Sequence, residues 1–177
     1  MQAASTTVQT ESWLIKVAGW KYLILVFRLL LAGMFLLSSI GKLPDIERYS
    51  VDVVYDFGVL PMILARPFGL LLPFIELACG LGMLFGVLTR LSAFGVAFMS
   101  LAFFIVKGYV LLVEGRNLSC GCFGAVMDTL ASFTIYLDIP MLVMGLIVMM
   151  APPASRYFAS IGLLLPQGLR EKLRYIW

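Results

Sequence analysis

Not one histidine occurs among the 177 residues of this chain. Metal, haem and general-base sites that depend on imidazole therefore cannot be assembled from the chain alone. Charge is scarce too. Only 13% of residues are Asp, Glu, Lys or Arg, about half the roughly 25% of a typical soluble domain. The net charge is a modest +3, and no lysine- or arginine-rich run is present to grip a phosphate backbone, which argues against a nucleic-acid partner. Cysteine is limited to Cys79, Cys120 and Cys122; without histidine, the last two supply half of a tetrahedral zinc set. What the chain has in excess is apolar surface, at 62% of residues. A soluble fold cannot hide so much, so the surplus must face lipid or other membrane-embedded protein.

The apolar residues are gathered into four runs, at about 20–42, 68–88, 90–113 and 130–152. Each is near the roughly 20 residues that cross a hydrocarbon core. The first is too long for a signal-peptide core and no Ala-x-Ala pattern follows it, so it reads as a retained span. Pro73 and Pro140 fall inside runs, where lipid-embedded helices tolerate them as kinks. The second and third runs are separated by a tight turn around Thr89 and Arg90 and form an antiparallel hairpin. Between the first two runs, residues 44–60 carry four acids and two tyrosines. Pro44 suits a first helical turn, and Val51, Val54 and Leu60 give one apolar face, as in a short interfacial helix. The expected fold is all-α: an integral membrane four-helix bundle over residues 19–152, preceded by a polar, irregular extension over 1–18. An amphipathic membrane-surface tail over 153–177 follows, in which Leu169, Leu173, Ile176 and Trp177 alternate with Arg170, Lys172 and Arg174.

Four spans place both termini on one side of the membrane. That side holds Lys16, Lys21, Arg90, Arg156, Arg170, Lys172 and Arg174; the other holds Lys42, Arg48, Arg66 and Arg116. The excess of lysine and arginine predicts cytoplasmic termini. The segment between the third and fourth runs, containing Cys120-Gly121-Cys122, then faces the periplasm or the exterior, an oxidising compartment. A bridge between cysteines only two positions apart closes a small ring, and strained or exposed bridges tend to be the labile, redox-active ones. Gly121 and Gly124 let the backbone turn, and Arg116 is near enough to favour a thiolate. The competing reading is a structural staple or a pair of inert thiols.

Arg28, Glu76, Lys107 and Asp138 lie well inside the runs, away from the charges at their ends. A charge at that depth costs roughly 2.5–3.5 kcal/mol even on the lenient insertion scale, so each must face the bundle interior or a polar cavity. The expected pairs are Arg28–Glu76 and Lys107–Asp138. They form a supporting polar site under the cysteine segment, or else they hold helices together without chemistry. Lys107 has the further option of snorkelling outward. Cys79 follows Glu76 by three residues and shares its face, with Gly82 and Gly86 letting a neighbour approach. It is a possible third thiol or an inert packing residue. Phe103, Phe104, Phe123, Phe133 and Tyr136 are candidates to line a quinone pocket or, alternatively, to pack and belt the membrane.

Several of these motifs occur together in one family. "FRLLLAGMFLLSSIGKLPD", with Arg28, Gly33 and Gly41-Lys42-Leu43, resembles the first helix of DoxX-like membrane proteins. "LPMILARPFGLLLPFIELACGLGMLFG", with Pro73 and Glu76, resembles their second. "CGCFG" before a fourth helix is similar to the methylamine-utilisation MauE branch. The order of Arg, Gly-Lys, Pro-x-x-Glu and Cys-x-Cys-Phe-Gly over residues 22–150 carries the resemblance. It implies a protein of the bacterial inner membrane that acts in maturation of a disulfide-rich periplasmic protein alongside a thioredoxin-like partner. Cys120 and Cys122 would exchange disulfides with that partner, acting as a thiol–disulfide oxidoreductase component and passing electrons to a quinone. A rival class is a non-catalytic transmembrane subunit of a larger membrane complex, with the cysteines structural. A solute transporter is a third; neither the repeat pair nor the broken-helix pair that transporters use is visible in the sequence.

Overall fold

A computed structural model of the chain describes residues 2–58, 60–116, 118, 120–126 and 130–152, with backbone alone for 2–18 and 62. The tail expected over 153–177 lies outside the described residues. The described residues form α1 (Gln2–Lys42), α2 (Asp52–Phe57), α3 (Met62–Phe85), α4 (Thr89–Leu112) and α5 (Ala131–Met150). Four stretches within them are long and apolar enough to cross a membrane: Gly19–Asp45, Ile63–Phe85, Thr89–Leu112 and Ala131–Met150. The chain is an all-α integral membrane protein.

The backbone of residues 2–18, expected to be irregular, is helical and continuous with the first span. The cause is local: Gln2, Ala3, Ala4, Glu11 and Lys16 accept a helix, and no proline or glycine interrupts it before Gly19. The hairpin turn lies a little earlier than Thr89–Arg90. Gly86 closes α3 in the left-handed conformation at φ +67, Leu88 follows at φ +52, and Thr89 already opens α4. Glycine is the residue best suited to that closing position. Helix α3 also begins before Pro67, after Pro61.

Along α1 a line of buried residues runs Ile24, Arg28, Leu31, Phe35, Ser39 and Lys42, with Ala32 and Gly41 buried beside it. Their spacing of three and four marks one inward stripe. Outward residues are just as apolar: Ile63, Leu112 and Met150 are 84%, 87% and 79% exposed. A lipid-facing surface requires this, and it removes the inside–outside contrast that packs soluble helices. Close packing replaces it. A Cβ at Gly80 of α3 would collide with Leu36 of α1, and one at Gly145 of α5 would press on Ala97 of α4. Accordingly α1 packs chiefly on α3, and α4 chiefly on α5.

The connection from α1 to α3 is a 3-10 turn at Leu43–Asp45, a π-helical turn at Glu47–Val51 and then α2. It does more than lie at an interface. Val51 and Phe57 are buried, and the Ser50 hydroxyl donates to the Gly69 carbonyl of α3 at 2.6 Å. This segment and the cysteine loop are at the same end of the bundle, opposite the Gly86–Leu88 turn.

Candidate functional site

The cysteine loop is fixed by backbone bonds. Ala131 N–H donates to the Leu118 carbonyl at 2.9 Å, and Gly124 N–H to Gly121 at 3.1 Å. Gly121 and Gly124 adopt φ of +57 and +53, conformations that favour glycine. Within this loop the Sγ atoms of Cys120 and Cys122 are bonded, with Cα atoms 5.1 Å apart. Cys120 is buried, and Cys122 is partly exposed.

Below the loop are two buried ion pairs. Lys107 of α4 meets Asp138 of α5 at 2.8 Å. The lysine is 2% exposed and does not snorkel; its Nζ also lies 5.7 Å from the Phe103 ring centroid. Glu76 of α3 pairs with Lys42 of α1 at 2.6 Å, so the expected Arg28–Glu76 pair is not the arrangement found. Arg28 instead donates from Nε and Nη2 to the Met83 carbonyl, at 3.2 and 3.1 Å, near the other end of α3. The register explains this. Ser39 of α1 donates to the Pro73 carbonyl at 2.8 Å, which places Glu76 beside the last two turns of α1. Arg28 lies ten residues before Ser38, roughly 15 Å of helical rise.

Lys42 was counted above as a charge at a helix end and within the Gly-Lys motif, but not as a site residue. Its spacing from Arg28, Phe35 and Ser39 puts it on the inward stripe of α1, and that periodicity was the signal for its burial. Ser38 was not singled out either. Its hydroxyl lies 3.0 Å from Glu76 Oε2, accepts from Lys42 Nζ at 3.1 Å, and is within bonding distance of the Cys122 carbonyl. A hydroxyl has one proton, so Ser38 gives it either to the carboxylate or to the Cys122 carbonyl. It thereby ties the Lys42–Glu76 pair to the cysteine backbone.

Both pairs and Cys122 line one cavity of about 50 Å³. Ser100 reaches it as well, with a buried hydroxyl that has no hydrogen-bond partner among the described residues. The space suits a water molecule. A larger cavity of about 290 Å³ shares Lys42, Phe103, Lys107 and Cys122 with it and is walled by Phe57 and Leu72 and by Cys120 of the loop. Of the aromatic candidates, Phe103 lines both cavities and Phe123 the smaller one. Phe133 and Tyr136 are 63% and 73% exposed on the outer surface of α5.

Cys79 does not share this site. It is partly buried, against Gly95 of α4, and lines a separate open cavity with Gly82, Leu88 and Ser92 near the opposite end. Glu76 turns toward α1 while Cys79 and Gly82 turn toward α4, so three residues of spacing placed them on adjoining faces, not against one neighbour. Cys79→Ala is therefore expected to leave reduction and re-formation of the Cys120–Cys122 bridge at the wild-type rate, with a stability change within about 1 kcal/mol. Mass-spectrometric thiol counting before and after reduction checks both the bridge and this independence.

The family model described as "Methylamine utilisation protein MauE" matches residues 20–151. A "Methylamine utilization protein MauE" of Paracoccus denitrificans is 31% identical over 96 residues, which cover 54% of this chain and 51% of the relative. The alignment thus spans about half the length of that protein. No solved structure matches the chain.

Proposed function

This chain belongs to the methylamine-utilisation MauE family, and on that premise we propose that it is a membrane thiol–disulfide exchange component of a methylamine-utilising system. In this reading Cys120 and Cys122 oxidise a dithiol on a thioredoxin-like or disulfide-rich partner on the periplasmic side. The observation that carries it is the Cys120–Cys122 bond at one mouth of the bundle, tied through Ser38 to a buried ion pair. The positive-inside count supports an outer location for that mouth.

The exchange balances as follows. A partner thiolate attacks the Cys122 sulfur, the more exposed residue of the pair. The sulfur–sulfur bond breaks, a mixed disulfide forms, and Cys120 leaves as a thiolate. A second partner thiol then displaces Cys122. The partner gains a disulfide and loses two electrons and two protons, and the chain holds a dithiol. The ion pairs act as positioning groups: Lys42–Glu76 fixes the Cys122 backbone through Ser38, and Lys107–Asp138 closes α4 on α5 beneath it.

The test uses the full chain in detergent, oxidised, mixed with a synthetic dithiol peptide. The wild type is expected to oxidise an equivalent amount of peptide, and the Cys120→Ser/Cys122→Ser double variant none. Undiminished oxidation by the double variant removes the reading. Stable co-purification with a larger complex whose activity survives the double substitution would establish the non-catalytic subunit instead.

A further inference from the structure

The exchange leaves the chain reduced, and a catalytic cycle needs an acceptor for two electrons. We propose that the cavity of about 290 Å³ between the α2 segment and α4 is a binding site for the ring of a membrane quinone, which reoxidises Cys120 and Cys122. The inference rests on the thiol–disulfide reading and adds the substrate and its place.

Three observations support it. First, the cavity adjoins both sulfur-bearing residues: Cys120, Gly121 and Cys122 form part of its wall. Second, its lining is apolar and aromatic, yet it includes two buried lysines. Lys42 and Lys107 are 3% and 2% exposed, and both line the cavity. An ammonium has three N–H donors, and the bond of Lys107 to Asp138 uses one of them. A flat apolar ring carrying carbonyl oxygens matches that combination, whereas an acyl chain offers the lysines nothing to accept. Third, the outer rim of the cavity is formed by Phe68 and Phe98, which are 44% and 62% exposed on the membrane-spanning parts of α3 and α4. Entry is from the lipid, as a lipid-soluble ligand requires. The volume lies near the lower end of the roughly 300–1,000 Å³ range for small-molecule sites, enough for a ring whose tail stays in the bilayer.

The step is balanced. The Cys120 and Cys122 thiols give up two electrons and two protons, the sulfur–sulfur bond re-forms, and the ring carbonyls become hydroxyls. Lys107 orients one carbonyl, and Phe103 supports the ring face.

The full chain in detergent, reduced and freed of reductant, is mixed with decyl-benzoquinone, and quinol formation is followed by absorbance. Separately, an azido-benzoquinone is photolysed on the wild type. Expected are quinol in an amount equal to the dithiol and label confined to peptides covering 49–60, 68–72, 98–107 and 120–122. Excess decyl-benzoquinone should suppress the label; excess phospholipid should not. Ala102→Phe, which fills the cavity without touching the cysteines, should slow reoxidation roughly tenfold. Val106→Phe serves if that variant does not fold, and the labelling needs no variant. Reoxidation of the filled variant at the wild-type rate, label elsewhere, or displacement by phospholipid each overturns the site. Oxidation of the dithiol peptide without quinone is measured in parallel. If that fails, the exchange reading fails; if it holds while quinone reoxidation fails, the quinone site alone is lost.

Discussion

Lys42→Met and Glu76→Met are each expected to destabilise the bundle by about 3–5 kcal/mol, the penalty for leaving one charge of a buried pair uncompensated. The double variant Lys42→Met/Glu76→Met should be far closer to wild type. The reason is geometric. The two groups are 2.6 Å apart with side-chain exposures of 3% and 2%, so neither has water to turn to when its partner is lost. Replacing both removes the charges together and leaves apolar volume on a helix face that already carries Phe35 and Leu31. Buried pairs exchanged for apolar residues of similar size are often neutral or better. Unfolding in mixed micelles, measured on all four proteins of the cycle, gives the coupling directly. A coupling near zero would mean that water reaches the pair, and the site as described would be wrong. The effect should extend to the loop. Ser38 accepts from Lys42 and shares its one proton between Glu76 and the Cys122 carbonyl, so each single variant should also expose Cys120 and Cys122 to faster reduction by a small phosphine.

Much of this fold was legible because a membrane span is a coarse signal. An apolar run near the length of the hydrocarbon core declares itself wherever it ends, and four runs over 19–152 match the four spans. Charges within the runs declared themselves for the same reason: the cost of burial demands a partner. The Lys107–Asp138 pairing followed from the similar depth of the two charges below the outer ends of consecutive helices. Glu76 was harder, because its partner depended on the register of α1 against α3, which hydropathy does not encode. Gly80 packing on Leu36 and Ser39 bonding Pro73 set that register, and it brings Lys42 level with Glu76 while holding Arg28 near Met83. The irregular reading of residues 2–18 failed for a different reason. Polarity was taken as a sign of loop, although the stretch contains nothing that breaks a helix. The aromatic residues illustrate the limit most clearly. Phe103 and Phe133 read alike in sequence, yet one lines both cavities and the other faces outward, since in lipid an aromatic ring is equally at home on either face.

Gly124→Ala is expected to cost about 3 kcal/mol or more and to accelerate chemical reduction of the Cys120–Cys122 bridge roughly tenfold. Two terms add. At φ +53 any side chain costs roughly 1–2 kcal/mol. In addition, a Cβ at this position would overlap the Gly41 carbonyl and the Lys42 nitrogen, which are backbone atoms near the end of α1, so the loop must lift away. Gly115→Ala separates the terms: it has φ +66 and open space around the added atom, and it should lose only the conformational part and keep the wild-type reduction rate. Gly41→Ala isolates the other part. It sits within a helix, and its Cβ would collide with the Phe123 carbonyl, so it should reproduce the faster reduction without a backbone penalty. The loop is held against α1 by this glycine crossing and by Ser38, and lifting it withdraws the Cys122 carbonyl from the hydroxyl that anchors it. Unfolding in mixed micelles gives the stability of each variant, and phosphine reduction followed by thiol labelling gives the rate. Equal behaviour of Gly124→Ala and Gly115→Ala in both measurements would show that the crossing does not hold the loop.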